Sequence, residues 1–280
     1  MIKNTVKLQA LGSCAWLLAT TLSGGCLANQ PAAGAVEPVA VKTVEQEPFD
    51  IAAAAAALDY GIAAAGRPED LRAVFELVDQ QTGTRVEQEL YMAFLAQRLG
   101  IMLMEKDREN AQHFLTECVS HSEKIAESEA QAAEALAISS MCYGLRIGLT
   151  PLQAPMLGSL SVAAMDSALV LGPDNPHVLF LAGLKDHFTL PMWGGSNIRA
   201  KERFIKSLEI AERDERWQWL TSDLFAYLAL VEIKLNQPCE AERYYESALK
   251  IEPDSGLVKH VVKKSMENVA CDRELIGSDT

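Results

Sequence analysis

Histidine and cysteine side chains stand close together in one stretch of the chain, where they could bind a metal ion. His113, Cys118 and His121 fall on one predicted helix, and Cys118 and His121 share a face of it. A zinc site usually needs a second ligand-bearing element, and none is evident in the sequence. The neighbours Asp186 and His187 could act in acid–base chemistry, but adjacent side chains diverge around a helix. We expect neither group to do chemistry.

Composition and motifs narrow the functional class further. The sequence contains no glycine-rich phosphate loop, nucleophile elbow or paired-carboxylate motif. The formal net charge of −13 leaves no basic stripe for nucleic acid and no attraction to anionic lipid. We therefore expect a non-enzymatic protein without a cofactor or a metal. An enzyme with an unfamiliar type of site is the remote alternative.

The N-terminus is typical of a targeting segment. Lys3 and Lys7 precede an uncharged apolar run, and small residues then lead into Cys26. Ser23-Gly24-Gly25-Cys26 resembles a bacterial lipobox, which would make Cys26 the lipidated first residue, although Ser23 stands where the usual leucine would be. Cleavage after Ala28 by an ordinary signal peptidase and an uncleaved anchor are the alternatives. Each predicts export, to the periplasm or to the outer membrane as a lipoprotein.

Beyond the leader, the chain reads as helices separated by short breaks. Apolar residues recur at helical spacing, and Gly172-Pro173-Asp174-Asn175-Pro176 is a strong stop and restart. We expect an all-α protein with about eleven helices. The predicted organisation is a signal peptide (1–28), a flexible linker (29–49), divergent helical hairpins (50–130), repeats with a C-terminal capping helix (131–270) and a tail (271–280).

One unit, Ser222–Pro253, has the most regular pattern. Small residues at Ala229, Ala241 and Ala248 let two helices approach closely, and Tyr245 fills the groove between them. This unit resembles the tetratricopeptide repeat, and weaker copies precede it. Glu232 departs from the family, which usually carries an aromatic or large apolar residue there.

The resemblance to the tetratricopeptide family implies a fold and a general role. The expected fold is a right-handed superhelical solenoid of antiparallel helix pairs, which commonly binds partners on its concave surface. The residues nominated there are Tyr143, Arg146, Lys185 and Tyr227. The segment from Gly172 to Ile210, with its Pro-x-aromatic-Gly-Gly loop, is similar to exported bacterial tetratricopeptide proteins. A more distant similarity is to lipid-anchored partners of tripartite periplasmic transporters.

Two long loops are the best candidates for a binding site. In a stack of hairpins, Thr150–Ser159 and Thr189–Ser196 would lie side by side on one edge. An exposed patch rich in Met, Trp and Pro suits a peptide or an apolar ligand. Alternatively, Trp193 folds inward and packs its own loop. The candidate binding residues are Pro151, Met156, Leu157, Pro191, Met192, Trp193, Gly194 and Gly195.

Four cysteines beyond the leader can form two disulfides in an oxidising compartment. An antiparallel return of the last helix would bring Cys271 near Cys239, and Cys118 and Cys142 lie on successive antiparallel helices. Buried free thiols are the alternative for both pairs.

The sequence thus favours an exported binding or scaffold protein. Its expected partner is another envelope protein or peptide, with membrane contact only through the N-terminal anchor. A small-ligand-binding accessory of a periplasmic transporter is the alternative.

Overall fold

The described part of the chain is helical and contains no β-strand. A computed structural model describes residues 68–79, 86–125, 129–267 and 271, which belong to one compact unit. Three short 3₁₀ turns, Pro151–Gln153, Pro191–Trp193 and Glu215–Leu220, join some of the helices, and a π-helical turn, Leu257–Val262, precedes the last one. The ten described α-helices are α1 Pro68–Asp79, α2 Val86–Leu103, α3 Arg108–Glu123, α4 Ala132–Leu149, α5 Ala154–Leu171, α6 Pro176–Phe188, α7 Asn197–Ala211, α8 Thr221–Lys234, α9 Pro238–Ile251 and α10 Lys263–Met266.

Local sequence explains where several helices begin. The Asn175 side chain accepts hydrogen bonds from the backbone N–H groups of His177 (2.9 Å) and Val178 (3.1 Å) at the start of α6. Pro176 follows as the first helical residue, where its missing N–H costs nothing. Ser196 caps α7 in the same way. The stop and restart expected around Asn175 is therefore confirmed.

The helices pair as the hairpins α2–α3, α4–α5, α6–α7 and α8–α9. Helices α2, α4, α6 and α8, the inner helices, are buried on most of their surface, whereas α7 and α9 bury one face each. Small residues allow this packing: a Cβ added at Gly183 of α6 would lie 2.4 Å from the Phe204 ring of α7. The all-α class is confirmed, and the right-handed superhelix stays a prediction.

Contacts between α2 and the region of α8 close the inner side of the stack. The Arg98 guanidinium of α2 lies 3.6 Å from the Asp223 carboxylate of α8. Phe94 of α2 also meets Trp219, just before α8, edge to face at 5.7 Å between ring centroids. The first and fourth of these hairpins therefore touch, whereas in a typical solenoid each repeat contacts only its neighbours.

One expected loop is largely helix. Helix α5 begins at Ala154 instead of Leu160, so the long loop predicted over Thr150–Ser159 is wrong. Pro155 lies in the first turn of α5, where a proline is tolerated. The connection between α4 and α5 is a short 3₁₀ turn.

Both expected disulfides are present. Cys118 of α3 bonds to Cys142 of α4 with 6.4 Å between Cα atoms, and Cys239 of α9 bonds to Cys271 with 4.7 Å. The first bond joins two successive hairpins at a fully buried position. The second ties the residues that follow α10 back to α9. The leader with Cys26, the linker and the alanine-rich segment 51–65 lie outside the described residues.

Removal of the buried disulfide should destabilise the fold. Because the bond closes a loop across a separation of 24 residues, the double variant Cys118→Ala/Cys142→Ala should lose about 3 kcal/mol of unfolding free energy. Urea denaturation of the oxidised native protein and the variant measures this difference. Equal midpoints and slopes for the two proteins would contradict it.

Candidate binding surface and inner cavity

The turn between α6 and α7 presents large apolar side chains to solvent. Met192 is 79% exposed and Trp193 is 74% exposed. The exposed neighbours Phe188, Leu190 and Ile198 extend this surface, which we call the turn patch. Trp193 therefore does not pack its own loop, and the inward alternative is wrong. The turn patch also includes residues that the sequence did not nominate: Phe188, Leu190 and Ile198.

An ion-pair network holds this turn in shape. The buried Asp186 carboxylate at the end of α6 lies 2.6 Å from the Arg199 guanidinium and 2.7 Å from that of Arg203, both on α7. The hydrogen bond to Asp186 also raises the pKa of Arg199. Arg199 donates a further hydrogen bond to the Gly194 carbonyl, and the Ser196 N–H donates to the Asp186 carbonyl at 2.9 Å.

The two glycines of the turn are required by its backbone. Gly194 has φ of 91°, in the left-handed region that favours glycine. A Cβ at Gly195 would lie 1.7 Å from the Thr189 carbonyl oxygen. Gly194 and Gly195, which were nominated as binding residues, therefore shape the turn. Met192 and Trp193 supply its exposed surface.

The candidates at the start of α5 separate into exposed and buried residues. Pro151 and Met156 are exposed, as is Leu152, which is 93% accessible and was not nominated. Leu157 is 2% exposed and belongs to the core, so its prediction as a binding residue is wrong. With α5 starting at Ala154, helical geometry turns Leu157 inward next to the outward Met156.

Helix α5 exposes an apolar outer face along its length. Within the described residues, Pro151–Leu171 is one stretch long and apolar enough to cross a membrane, and 28% of its 18-residue apolar window is buried. Its inner face packs on α4, where the Ser161 hydroxyl donates to the Ser140 carbonyl at 2.9 Å. These contacts make α5 an integral part of the helical stack.

A cavity of about 760 Å³ lies between α2, the end of α6, α8 and the residues from Leu257 onward. Its lining is mainly apolar, with charged groups that include Arg98, Glu105 and Lys234. Asp223 and Tyr227 also line it, one turn apart on α8. Of the four residues nominated for the concave surface, Tyr227 lines this cavity and the other three do not.

Burial dominates the electrostatics of Asp223. Its carboxylate is 2% exposed, and burial raises its pKa to about 7. The Arg98 guanidinium works in the opposite direction, whereas the charge of Glu252 adds to the increase. Burial likewise raises the pKa of Tyr227 to about 12. Asp223 is therefore a group of this cavity whose charge changes near neutral pH.

A second, smaller cavity of about 210 Å³ lies near the first turns of α2, α4 and α6. Rings form much of its wall, and they already contact one another: His177 meets Phe94 at 5.9 Å and Trp219 at 5.3 Å between centroids. Glu134, 3.5 Å from the His177 ring, also lines it. The rings of His177, Phe94 and Trp219 thus pack against one another.

A lysine and two serines meet between α4, α5 and α6. The Lys185 ammonium lies 2.6 Å from the Ser161 hydroxyl and 3.4 Å from that of Ser140, and burial lowers the pKa of Lys185. Serine–lysine pairs can serve as nucleophile and base. Both serines are buried, however, and this group lines neither of the two cavities described above. Its contacts tie three helices together.

The groups first considered for chemistry have other partners. Cys118 is in a disulfide, and His121 lies 2.6 Å from the Glu89 carboxylate. His187 contacts the Asn197 side chain at 2.8 Å, whereas Asp186 pairs with two arginines. In residues 68–79, 86–125, 129–267 and 271, no three His, Cys, Asp or Glu side chains form a group able to hold a metal ion.

Comparison with known proteins gives one distant structural likeness to report. The chain is similar to the HusA haemophore from Porphyromonas gingivalis, with 21% identity over 58% of this chain and 79% of that chain, at a TM-score of 0.48. No protein-family model matches the sequence, and no functionally curated protein matches it. At this distance, the likeness assigns neither a fold family nor a function.

Sequence reasoning missed the inner cavity and its carboxylate. Asp223 stands near the start of a helix, where acidic residues are common on exposed surfaces. Its helical spacing from Tyr227 was the available signal, since both positions share the face that carries Leu230. The contact with Arg98, far away in sequence, depends on how the hairpins stack.

Gly195→Ala should disturb the turn that carries Trp193. Because its Cβ would collide with the Thr189 carbonyl, the backbone must shift, and we expect a loss of about 2 kcal/mol of unfolding free energy. Gly144→Ala, on an exposed helical position where a Cβ meets nothing within 4 Å, is the matched control and should gain up to about 1 kcal/mol. Urea unfolding and Trp fluorescence measure both, and similar behaviour of the two variants would refute the assignment.

Replacing Asp223 should change how stability depends on pH. A carboxyl group whose folded pKa is raised binds protons more tightly when folded, so its contribution falls as pH rises through about 7. The stability of the native protein relative to Asp223→Asn should drop by roughly 3 kcal/mol from about pH 4 to about pH 8. Denaturation at several pH values tests this. The stability of the native protein relative to Asp254→Asn, a variant at an exposed site, should show no such fall. Parallel native and Asp223→Asn curves would disprove the prediction.

Proposed function

We propose that this chain is an exported, non-enzymatic binding protein of the tetratricopeptide type that docks an apolar segment of another envelope protein or peptide on its turn patch. The observation that supports this is that Met192 and Trp193 are exposed on a turn held in place by the ion pair between Asp186 and Arg199. Attachment to the outer membrane through Cys26, or free residence in the periplasm, belongs to the same proposal.

The cost of displaying this surface supports a binding role. Large apolar side chains gain stability when they leave water, so a tryptophan held outward contributes little to folding. The chain nevertheless fixes it there with a buried carboxylate, two arginines and two conformationally required glycines. A rigid aromatic anchor loses little conformational entropy on binding.

The chemistry of the turn patch suggests the kind of partner. Methionine adapts to irregular apolar surfaces, and tryptophan supplies a large contact area with one hydrogen-bond donor. Arg199 lies at the edge of the patch and is about half exposed, with its charge shared with Asp186. A partner segment with apolar anchors and few charges at its centre would fit.

The inner cavity favours a second candidate function. A volume of about 760 Å³ lies within the range of small-molecule sites, and its apolar walls with few polar groups are typical of them. In this second candidate function, the chain carries a small apolar ligand as an accessory of a periplasmic transporter.

Truncation of Trp193 or Met192 to alanine should weaken partner binding. Trp193→Ala and Met192→Ala should each raise the dissociation constant at least tenfold, because central aromatic anchors dominate interface energies. Val170→Ala, at an equally exposed position near the end of α5, is the matched control and should bind as the native chain does. Crosslinking of the mature chain to envelope proteins identifies the partner, and titration of that purified partner gives the constants.

The control and the two patch variants separate the outcomes. Loss of the same purified partner in both patch variants, with the control unaffected, places docking on the turn. Equal binding by all four chains would reject the turn patch as the docking surface.

A further inference from the structure

The inner cavity is elongated along one face of α8. Asp223, Tyr227, Leu230 and Lys234 recur at helical spacing, and all four line the cavity. At 1.5 Å per residue, the run from Asp223 to Lys234 covers about 16 Å. Arg98, Ile101, Met102 and Glu105 of α2 line the cavity in the same way. The space therefore suits a chain-like molecule better than a compact one.

The two ends of the cavity differ in polarity and exposure. Asp223 is 2% exposed and marks the inner end, whereas Ile101, Phe188 and Val261 are exposed and mark the mouth. Between them, the lining is supplied by apolar side chains such as Leu230, Ile233 and Leu257. A molecule with an apolar body and one polar head would meet matching surfaces if its head lay at Asp223.

The Asp223 carboxylate has its charge balanced but its hydrogen-bonding capacity unused. Neither carboxylate oxygen has a hydrogen-bond partner among the described residues. The Arg98 guanidinium, at 3.6 Å, is close enough for an ion pair but too far for a hydrogen bond. A buried acceptor without a donor is costly, so a ligand that brings a donor would gain more than contact area.

We propose that the inner cavity binds an apolar, chain-like molecule with a neutral hydroxyl head, and that the hydroxyl donates a hydrogen bond to Asp223. This inference rests on the second candidate function, small-ligand binding, and specifies its ligand class. The apolar chain lies along α8 and α2 towards the mouth.

Charge selects a hydroxyl over other heads. A carboxylate head would bring a second negative charge beside Asp223 into a buried site. An ammonium head would place a second positive charge beside Arg98, which already balances the carboxylate. A hydroxyl donates the missing hydrogen bond without adding charge.

Competition for an apolar fluorescent dye tests the proposal on the native protein. Diphenylhexatriene, which has no hydrogen-bonding group, is bound first and then displaced by decanol, decyl methyl ether, decylamine or decanoate. At pH 8, where the Asp223 carboxyl is ionised, decanol should displace the dye at a concentration at least tenfold lower than the ether, because only the alcohol can donate a hydrogen bond to this carboxylate. The amine and the acid should also be weaker than the alcohol.

Two variants assign the preference to its residues. Asp223→Leu should bind the alcohol and the ether equally. Ile101→Trp, at an exposed position of the mouth, should obstruct entry and weaken all four competitors. Trp193→Ala should leave the ranking of the competitors unchanged, which separates this site from the turn patch.

Each unfavourable outcome overturns a defined part of the proposal. Failure of the dye to bind the native protein would reject the cavity as a small-ligand site, and with it the second candidate function. Binding without a preference for the alcohol would reject the hydroxyl assignment alone. A charged competitor that outperforms the alcohol would reject the argument from Arg98. Partner docking on the turn patch is measured separately and is unaffected by these results.

Discussion

The packing of the four inner helices is the constraint on which the rest of this structure depends. Because α2, α4, α6 and α8 are buried on most of their surface, the outer helices need to cover only one face each. The same packing brings α2 within reach of α8, which encloses the cavity and buries Asp223 beside Arg98. A fully open stack would leave this carboxylate in water with an ordinary pKa.

Burial of so many helical faces forces several charges inside, and each meets a cation from another element. Glu232, at a position where an apolar residue was expected, is fully buried and lies 2.6 Å from the Lys201 ammonium of α7. Asp186 of α6 forms ion pairs with Arg199 and Arg203, which both lie on α7. Removal of one partner from such a pair leaves a buried charge, so these contacts fix how α6, α7 and α8 align. Asp223 differs, because its cation, the Arg98 guanidinium, lies farther away, at 3.6 Å.

The turn patch and the inner cavity are neighbours with different physical characters. Phe188 belongs to both, since it is exposed in the patch and lines the cavity mouth. The patch is an exposed apolar surface, which suits a macromolecular segment. The cavity is a cleft lined mainly by apolar side chains with the buried Asp223 among them, which suits a small molecule with one polar head. The two surfaces therefore suit two different kinds of ligand.

The sequence by itself determined the helical class, the start of α6 and the turn that carries Trp193. These features follow from local signals: apolar periodicity, the Asn175 cap and the glycines after Trp193. The early start of α5 is not evident from the sequence, because a proline such as Pro155 permits a first helical turn as readily as it ends a helix. The exposure of Trp193, the burial of Leu157 and the cavity at Asp223 were decided only by the tertiary structure. Each depends on which distant side chains meet once the hairpins stack, and local spacing does not encode those contacts.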